Sequence, residues 1–492
     1  MKGLVAKHLN GLSRPDLLEN RAFIAGIWHE SDDGIPVVDP ATGEYITTVS
    51  SCSDQDIENA VEVAGEAFVS WKAKRPAERG AILRAWANLM RSNISDLAVI
   101  MSSEQGKPLV EAKGEIQYGA AFLDWFAAEG ERTYGETIPS HLLNSRLSVE
   151  MQPIGVTAAI TPWNFPSAMI TRKAGAALAA GCTMIVKPAP ETPLSALALA
   201  KLSIEAGVPA GVFQVITGPA APVSMKLMAC PEIRAFSFTG STEVGRILLK
   251  ASSDTVKKVS MELGGHAPFI VFDDVDLESA VRGCINAKFA TSGQDCLAAN
   301  RIYVQRAIYN QFVDAFGAAT SRLKVGHGLD PESDIGPMTR NTVARKCALH
   351  IKQALEAGAV LVTGGQASPL GENFVTPTVL ANVNDEMLIA QEETFGPVAA
   401  ILPFDTEQEV LVRANNTEMG LAAYVYTKDL NRATRLSQGL EYGMVGVNTA
   451  SFTGAPIPFG GWKQSGLGRE GSRHGILDYM QAKYVCIGNT NI

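Results

Sequence analysis

The chain has 492 residues, 46% hydrophobic and 19% charged, a composition that excludes a disordered protein and leaves room for roughly three domain equivalents of about 150 residues each. Its 51 acidic against 42 basic residues give a formal charge of −9, and without a Lys/Arg-rich run this argues against nucleic acid as a partner. Seven cysteines with no CxxC make neither a disulfide framework nor a zinc site, so reduced thiols in a cytoplasmic setting, and no metal, are expected.

Met1 to Leu18 carries Lys2, Lys7, Arg14 and Asp16 without an uninterrupted apolar run, which speaks against a secretory signal. The first third reads as helical. Ser53 and Asp56 form a capping-box pattern ahead of a stripe of Ile57, Ala60, Val61, Ala64 and Phe68. Pro76 opens a second helix striped by Ile82, Ala85, Trp86, Leu89 and Met90. Between positions 147 and 151, Leu147, Val149 and Met151 alternate with polar residues as an outlying strand.

From Gly155 to Leu263 short apolar runs alternate with helical segments: VTAAIT, TMIVK, VFQVIT, IRAFSFT and KKVSMEL. Strands separated by crossover-length helices predict an α/β fold with a doubly wound parallel sheet. The most apolar stretch, Gly155 to Val186, is broken by Asn164, Arg172, Lys173 and two prolines, so no membrane span is expected. A second α/β block starts at Ala267 with PFIVF, continues through helices at Ser279–Phe289 and Tyr309–Leu323, and carries strands AVLVT, VAAILPF, AAYVYT and MVGVN. Tyr484 to Ile487 forms a late apolar strand, a second outlying one, which either pairs across subunits or covers the protein's own edge.

Ligands of open parallel sheets bind beyond the carboxyl ends of the strands. There the sequence gathers Thr161-Pro162-Trp163-Asn164, Lys187-Pro188, Gly240 to Gly245 and Glu262-Leu263-Gly264-Gly265. Gly240 to Gly245 opens a helix whose amides could hold a pyrophosphate, although a plain glycine turn would look the same in isolation. Two motifs are decoys. Gly466 to Gly471 has the GxGxxG spacing but follows no strand and reads as a surface turn, and Gly240 to Gly245 lacks the Gly-Lys-Ser/Thr of an ATP-binding loop. Cys296 stands in a small, polar, Gly-containing turn suited to a nucleophile. Cys182, Cys230, Cys284, Cys347 and Cys486 read as buried hydrophobes and Cys52 as exposed.

Thr161–Pro166, Met261–Gly265, Gly293–Cys296, Glu393-Thr394-Phe395-Gly396-Pro397 and Pro458–Gly461, in this order and spacing, closely resemble the aldehyde dehydrogenase superfamily over nearly the full length. The resemblance implies a dinucleotide-binding domain (1–130 and 152–260), a catalytic domain (261–447), and a small oligomerisation hairpin (131–151 with 472–492) that would make a homodimer or homotetramer. It implies Cys296 as nucleophile, Asn164 with the Cys296 backbone amide as oxyanion hole, and Glu262 as the base that hydrolyses a thioester. For the cofactor it implies Thr161, Pro162, Trp163, Lys187, Gly240, Ser241, Leu263, Glu393 and Phe395. NAD-preferring members place a Glu three residues after this Lys. Here Pro190 stands there, with Glu191 one place late, so NADP⁺ is expected to be accepted and favoured over NAD⁺.

Within the superfamily the succinate-semialdehyde dehydrogenases match best, through AAITPWNFPSAMITRKAGAALAAGCTM, GSTEVGR, PFIVFDD and QSGLGREGS. That branch implies Arg172 as substrate-carboxylate ligand and Thr453 as a hydroxyl near it. A second arginine normally stands six residues before the nucleophile, and here that residue is Ala290. His266, where Asn is usual, is expected to pack or hydrogen-bond. Half a carboxylate clamp weakens short dicarboxylate semialdehydes and admits bulkier chains. Succinate semialdehyde therefore leads, with glutarate semialdehyde, a larger carboxyl-bearing semialdehyde or an aromatic aldehyde behind it. Two other classes compete: a Cys296-dependent thioester or ester hydrolase, and a noncatalytic protein on the same fold.

Overall fold

The computed structural model describes residues 7–489; Lys2 and the rest of 1–6, and 490–492, lie outside the described residues. Two sheets dominate. The first runs, edge to edge, Ile27–His29, Ala22–Ile24, Phe213–Val215, Thr183–Lys187, Val156–Ile160, Ile233–Thr239, Lys258–Glu262 and Gly466–Leu467. Its five central strands are parallel. From Val156–Ile160 the chain winds outward one way through Thr183–Lys187 and the other way from Ile233–Thr239. A crevice therefore opens beyond Ile160 and Thr239, where the winding reverses.

Alternate residues of each strand feed different cores, as a period of two requires. Ala159, Met184, Val186, Phe213 and Val215 face one core, shared with the helices Pro76–Ser92, Leu109–Glu129 and Ala168–Ala180. Ala158, Ile160, Ile185, Phe236 and Met261 face another, closed by Asp54–Ala73. The second sheet runs Val360–Thr363, Thr378–Ala381, Val398–Phe404, Ala299–Gln305, Ala267–Val271, Ala422–Tyr426 and Met444–Val447, parallel except for its Val360–Thr363 edge. It too separates two cores, with Phe269, Ile302 and Ile401 on one side and Ile270, Tyr303 and Leu402 on the other.

Several expectations need correction. The first third is not purely helical: strands at Ala22–Ile24, Ile27–His29, Gly34–Val38 and Tyr45–Ser50 precede the helices. The first two are too short to show an alternation, and Tyr45–Ser50 does not alternate in its burial. Ser53 does cap the first helix, accepting the Asp56 amide while Asp56 accepts its own. Trp71, not Phe68, is its fully buried aromatic, with Nε1 donating to the Leu178 carbonyl at 3.1 Å. In the second helix Leu83 and Ala87 are buried deeper than Ile82 and Ala85, and the buried Arg79 donates Nε to the Ala179 carbonyl at 3.1 Å.

The outlying strands pair with each other: Arg146–Pro153 lies antiparallel to Met480–Ile487 and to Glu136–Ile138 in a separate three-stranded sheet. Cys52 and Cys486 exchange the roles expected of them. Cys52 is 7% exposed, its backbone N–H donating to the Thr217 carbonyl at 2.8 Å, whereas Cys486 is exposed on that small sheet. Among the described residues no helix is long and apolar enough to cross a membrane, and no group of His, Cys, Asp and Glu could hold a metal ion.

Candidate active site

The two sheets meet with opposite polarity. The first presents the carboxyl ends of its strands; the second presents the amino ends of Ala299–Gln305 and Val398–Phe404, just ahead of which stand Cys296 and Glu393. A cavity of about 540 Å³ lies between them. Trp163, Asn164, Gly240, Ser241 and Leu263 line it from the first sheet, and Cys296, Glu393 and Phe395 from the second. Pro162, Arg172 and Thr453 complete the expected residues found on its walls. Thr161, Lys187, Pro190 and Glu262 lie outside that lining.

Cys296 follows three successive residues of left-handed backbone, Thr291, Ser292 and Gly293, at φ of 50°, 57° and 74°. Such strain persists only where the surroundings impose it. Here the Thr291 amide donates to Glu111 Oε1 at 2.8 Å and the Thr339 amide to Gln294 Oε1 at 3.0 Å. A Cβ on Gly293 would stand 2.5 Å from the Gly396 backbone, and one on Gly265 would stand 2.1 Å from the Cys296 carbonyl. Both glycines therefore seat the thiol loop tightly. Asn164 Nδ2 donates to the Gln294 carbonyl at 3.0 Å, which brings its amide beside the loop that carries Cys296 across 130 residues. Burial pushes the Cys296 thiol well above its ordinary range, reinforced by the Asp295 and Glu393 carboxylates, so the resting thiol is protonated.

Glu262 ends its strand 2% exposed, with neither carboxyl oxygen hydrogen-bonded. Burial first, and then the charge of Glu470, raises its pKa well above the usual carboxylate range. Glu470 takes Arg172 Nε on Oε2 at 2.5 Å and Lys173 on Oε1. Burial opposes ionisation of Glu470, but Lys173 and Arg172 outweigh it and lower its pKa. Glu470 was not anticipated. The only sequence signal was the Arg172-Lys173 pair in an otherwise apolar helix, which demanded a buried acid. The expected surface turn at Gly466–Gly471 is thus partly wrong: Gly466–Leu467 adds a strand to Met261-Glu262 and delivers Glu470 to this cluster. Arg172 keeps Nη2 buried and without a partner, its guanidinium 4.0 Å over the Phe459 ring.

The rim also suits a dinucleotide. Lys187 is 1% exposed, and burial lowers its pKa to about 8. The Thr161 amide donates to the Lys187 carbonyl at 3.1 Å, tying adjacent strand ends, while Thr161 Oγ1 and Thr239 Oγ1 are buried without partners. Ser241 caps Thr242–Ser252 by accepting the Val244 amide, at a helix N-terminus whose dipole favours an anion. Glu393 Oε1 accepts the Gly265 amide at 3.0 Å, and burial raises its pKa to about 7. Phe395, at φ 59°, meets Trp163 edge-on with ring centroids 5.5 Å apart. Cation and helix terminus offer the donors that phosphates require, and a carboxylate offers the acceptor that ribose hydroxyls require. His266 Nε2 is engaged with the Ala390 carbonyl at 2.8 Å, and burial pushes its pKa well down, so it is a buried neutral imidazole that hydrogen-bonds as expected.

A sequence model of the aldehyde dehydrogenase family matches residues 28–485. The chain is 52% identical over 482 residues to the 3-sulfolactaldehyde dehydrogenase of Pseudomonas putida, covering 98% of this chain and 99% of that one. It is likewise 52% identical over 479 residues to the NADP(+) succinate-semialdehyde dehydrogenase GabD of Escherichia coli K12, covering 97% and 99%. The crystal structure of an NADP-dependent enzyme from E. coli superposes with a TM-score of 0.96 at 52% identity, over 97% of this chain and 100% of that one.

Proposed function

The chain belongs to the aldehyde dehydrogenase family and oxidises an aldehyde to a carboxylate with NAD(P)⁺, and we propose that its substrate carries an anionic tail, succinate semialdehyde first. The observation that carries this reading is Arg172, which lines the cavity that holds Cys296 and whose buried Nη2 has no hydrogen-bond partner. A buried guanidinium N–H without an acceptor is costly, and a carboxylate or sulfonate would complete it. Thr453 would add a hydroxyl to the same end. With Ala290 in place of a second cation, glutarate semialdehyde, a larger acidic semialdehyde and an aromatic aldehyde remain the alternatives.

In the reaction, the Cys296 thiol proton passes to Glu262, which releases it to solvent before the hydrolytic half, as Sγ attacks the aldehyde carbon and the carbonyl oxygen becomes an alkoxide. Asn164 has one amide hydrogen on Gln294 and turns the other to this oxygen, together with the Cys296 amide. When bound, the dinucleotide supplies the acceptor for the hydride. Loss of that hydride leaves a thioester on Cys296. Glu262 takes a proton from the attacking water, the C–S bond breaks, and carboxylate and thiol are released. Burial and Glu470 set Glu262 to ionise at a higher pH than an exposed carboxyl, which suits a base that must also return its proton.

NADP⁺ is favoured over NAD⁺ because Pro190 supplies no carboxylate beside Lys187. Residues 1–130 with 152–260 bind the dinucleotide and 261–447 carry the nucleophile. Residues 131–151 with 472–492 form the contact of a homodimer or homotetramer: Leu143, Tyr484 and Ile487 are 94%, 55% and 56% exposed on or beside that small sheet. Seven cysteines without a CxxC suit a reducing compartment, which supports the cytoplasm as the enzyme's place of work. The test is a panel of succinate, glutarate, aspartate and sulfonated semialdehydes and benzaldehyde, each with NAD⁺ and NADP⁺, reading absorbance of the reduced dinucleotide. Highest kcat/KM on an uncharged aldehyde would sink the anionic-tail reading, and full activity in Cys296→Ala would sink the mechanism.

A further inference from the structure

Glu191 lies in the turn between Thr183–Lys187 and the helix Pro193–Glu205. Arg340, the residue that precedes the helix Asn341–Glu356 of the second half, reaches it across the cleft: Nη2 stands 2.5 Å from Glu191 Oε1. Both charges act on buried Lys187, Glu191 supporting its protonation and Arg340 opposing it. Glu191 Oε2 is buried without a hydrogen-bond partner. A bare carboxylate here would repel a 2′-phosphate held by Lys187, much as a Glu at position 190 would. With a guanidinium on it, the pair is close to neutral while Lys187 keeps its own charge.

We propose that Arg340 is a specificity-determining residue: by neutralising Glu191 from the opposite half of the chain, it admits a 2′-phosphorylated dinucleotide at the Lys187 end of the site. This rests on the reading of the rim as a dinucleotide site. Arg340 acts through Glu191 and is a positioning residue rather than a ligand. The side chains are 44% and 26% exposed, and pairs that wet contribute little to stability, so their role is better sought in the field they present to a ligand. The contact also explains how an acid one place after Pro190 can coexist with a preference for NADP⁺.

The test uses the full chain without dinucleotide, titrated by calorimetry with 2′,5′-ADP and with 5′-ADP, which carry the adenosine end alone. Arg340→Gln is expected to lower the affinity for 2′,5′-ADP relative to 5′-ADP about tenfold, the scale of one like charge restored in a partly solvated site. The double variant Arg340→Gln/Glu191→Gln is expected to return that ratio to within about twofold of the parent, since no charge is left to silence. An unchanged ratio in Arg340→Gln, or equal loss of both ligands, overturns the proposal. A double variant as weak as Arg340→Gln also overturns it, because Arg340 would then contact the phosphate itself. If the parent binds neither ligand and reduces neither dinucleotide with any aldehyde, the dinucleotide reading beneath the proposal fails instead.

Discussion

Arg172 donates Nε to Glu470 Oε2 at 2.5 Å although 298 residues separate them, and Lys173 holds the other oxygen of the same carboxylate. All three side chains are nearly inaccessible to water. One acid thus keeps two buried cations in place, holds Arg172 on the wall of the cavity that Cys296 also lines, and contributes to the field felt by Glu262.

Glu470→Gln removes that charge and keeps the shape. Leaving buried cations without their counter-charge should destabilise the fold by about 3 kcal/mol, read as a loss in denaturant midpoint. The same change should move the acid limb of kcat to lower pH. Glu470 raises the Glu262 pKa, so without it Glu262 ionises, and serves as base, at a lower pH. A limb that stayed put or moved upward would remove Glu262 from that role.

Asn164→Ala should lower kcat by about 10²–10³, the usual loss of one oxyanion donor, with a much smaller change in KM. It also strands the Gln294 carbonyl, so a thermal melt should fall modestly alongside. An activity loss confined to KM would place Asn164 in ground-state binding instead.

Alkylation of Cys296 by iodoacetamide, followed by peptide mass spectrometry to separate it from exposed Cys486, should accelerate only above the ordinary thiol range of about 8.5. Burial and the Asp295 and Glu393 carboxylates favour the protonated thiol. Asp295→Asn removes one of these charges and should shift the alkylation profile to lower pH. A profile already complete at neutral pH in the parent would show a thiolate stabilised by contacts other than these.

Ala290 lines the same cavity as Arg172 and adds no charge to it. Ala290→Arg should lower KM for succinate semialdehyde about tenfold, as a second charge-assisted contact to the carboxylate would. It should raise KM for benzaldehyde by filling the space that Ala290 leaves. Equal effects on both aldehydes would mean that position 290 acts on the loop before Cys296 rather than on the tail.

The parallel strands from Val156 to Glu262, and Cys296 in its polar turn, were legible because the information is local: apolar runs of fixed length, crossover-length helices, and motifs whose order and spacing are held in register. The short strands at Ala22–Ile24 and Ile27–His29 were not legible, since three residues carry no period and only the sheet edge makes them strands. Cys52 and Cys486 were misjudged for a related reason. A Ser-rich neighbourhood does not reveal that Thr217 lies above Cys52, nor does an apolar run reveal that the strand bearing Cys486 has one face open.

The sequence reached the fold class, and it pointed to Cys296, Asn164 and Glu393, which the fold gathers on one cavity, because each sits in a contiguous motif. Tertiary structure alone decided what those groups feel. The 2.5 Å approach of Arg340 to Glu191, the capture of Arg172 and Lys173 by Glu470, and the reach of Asn164 to Gln294 join segments 130 to 298 residues apart. Charge and burial act through distance in space, and the order of residues along the chain does not encode that distance until both sheets are packed against one cavity.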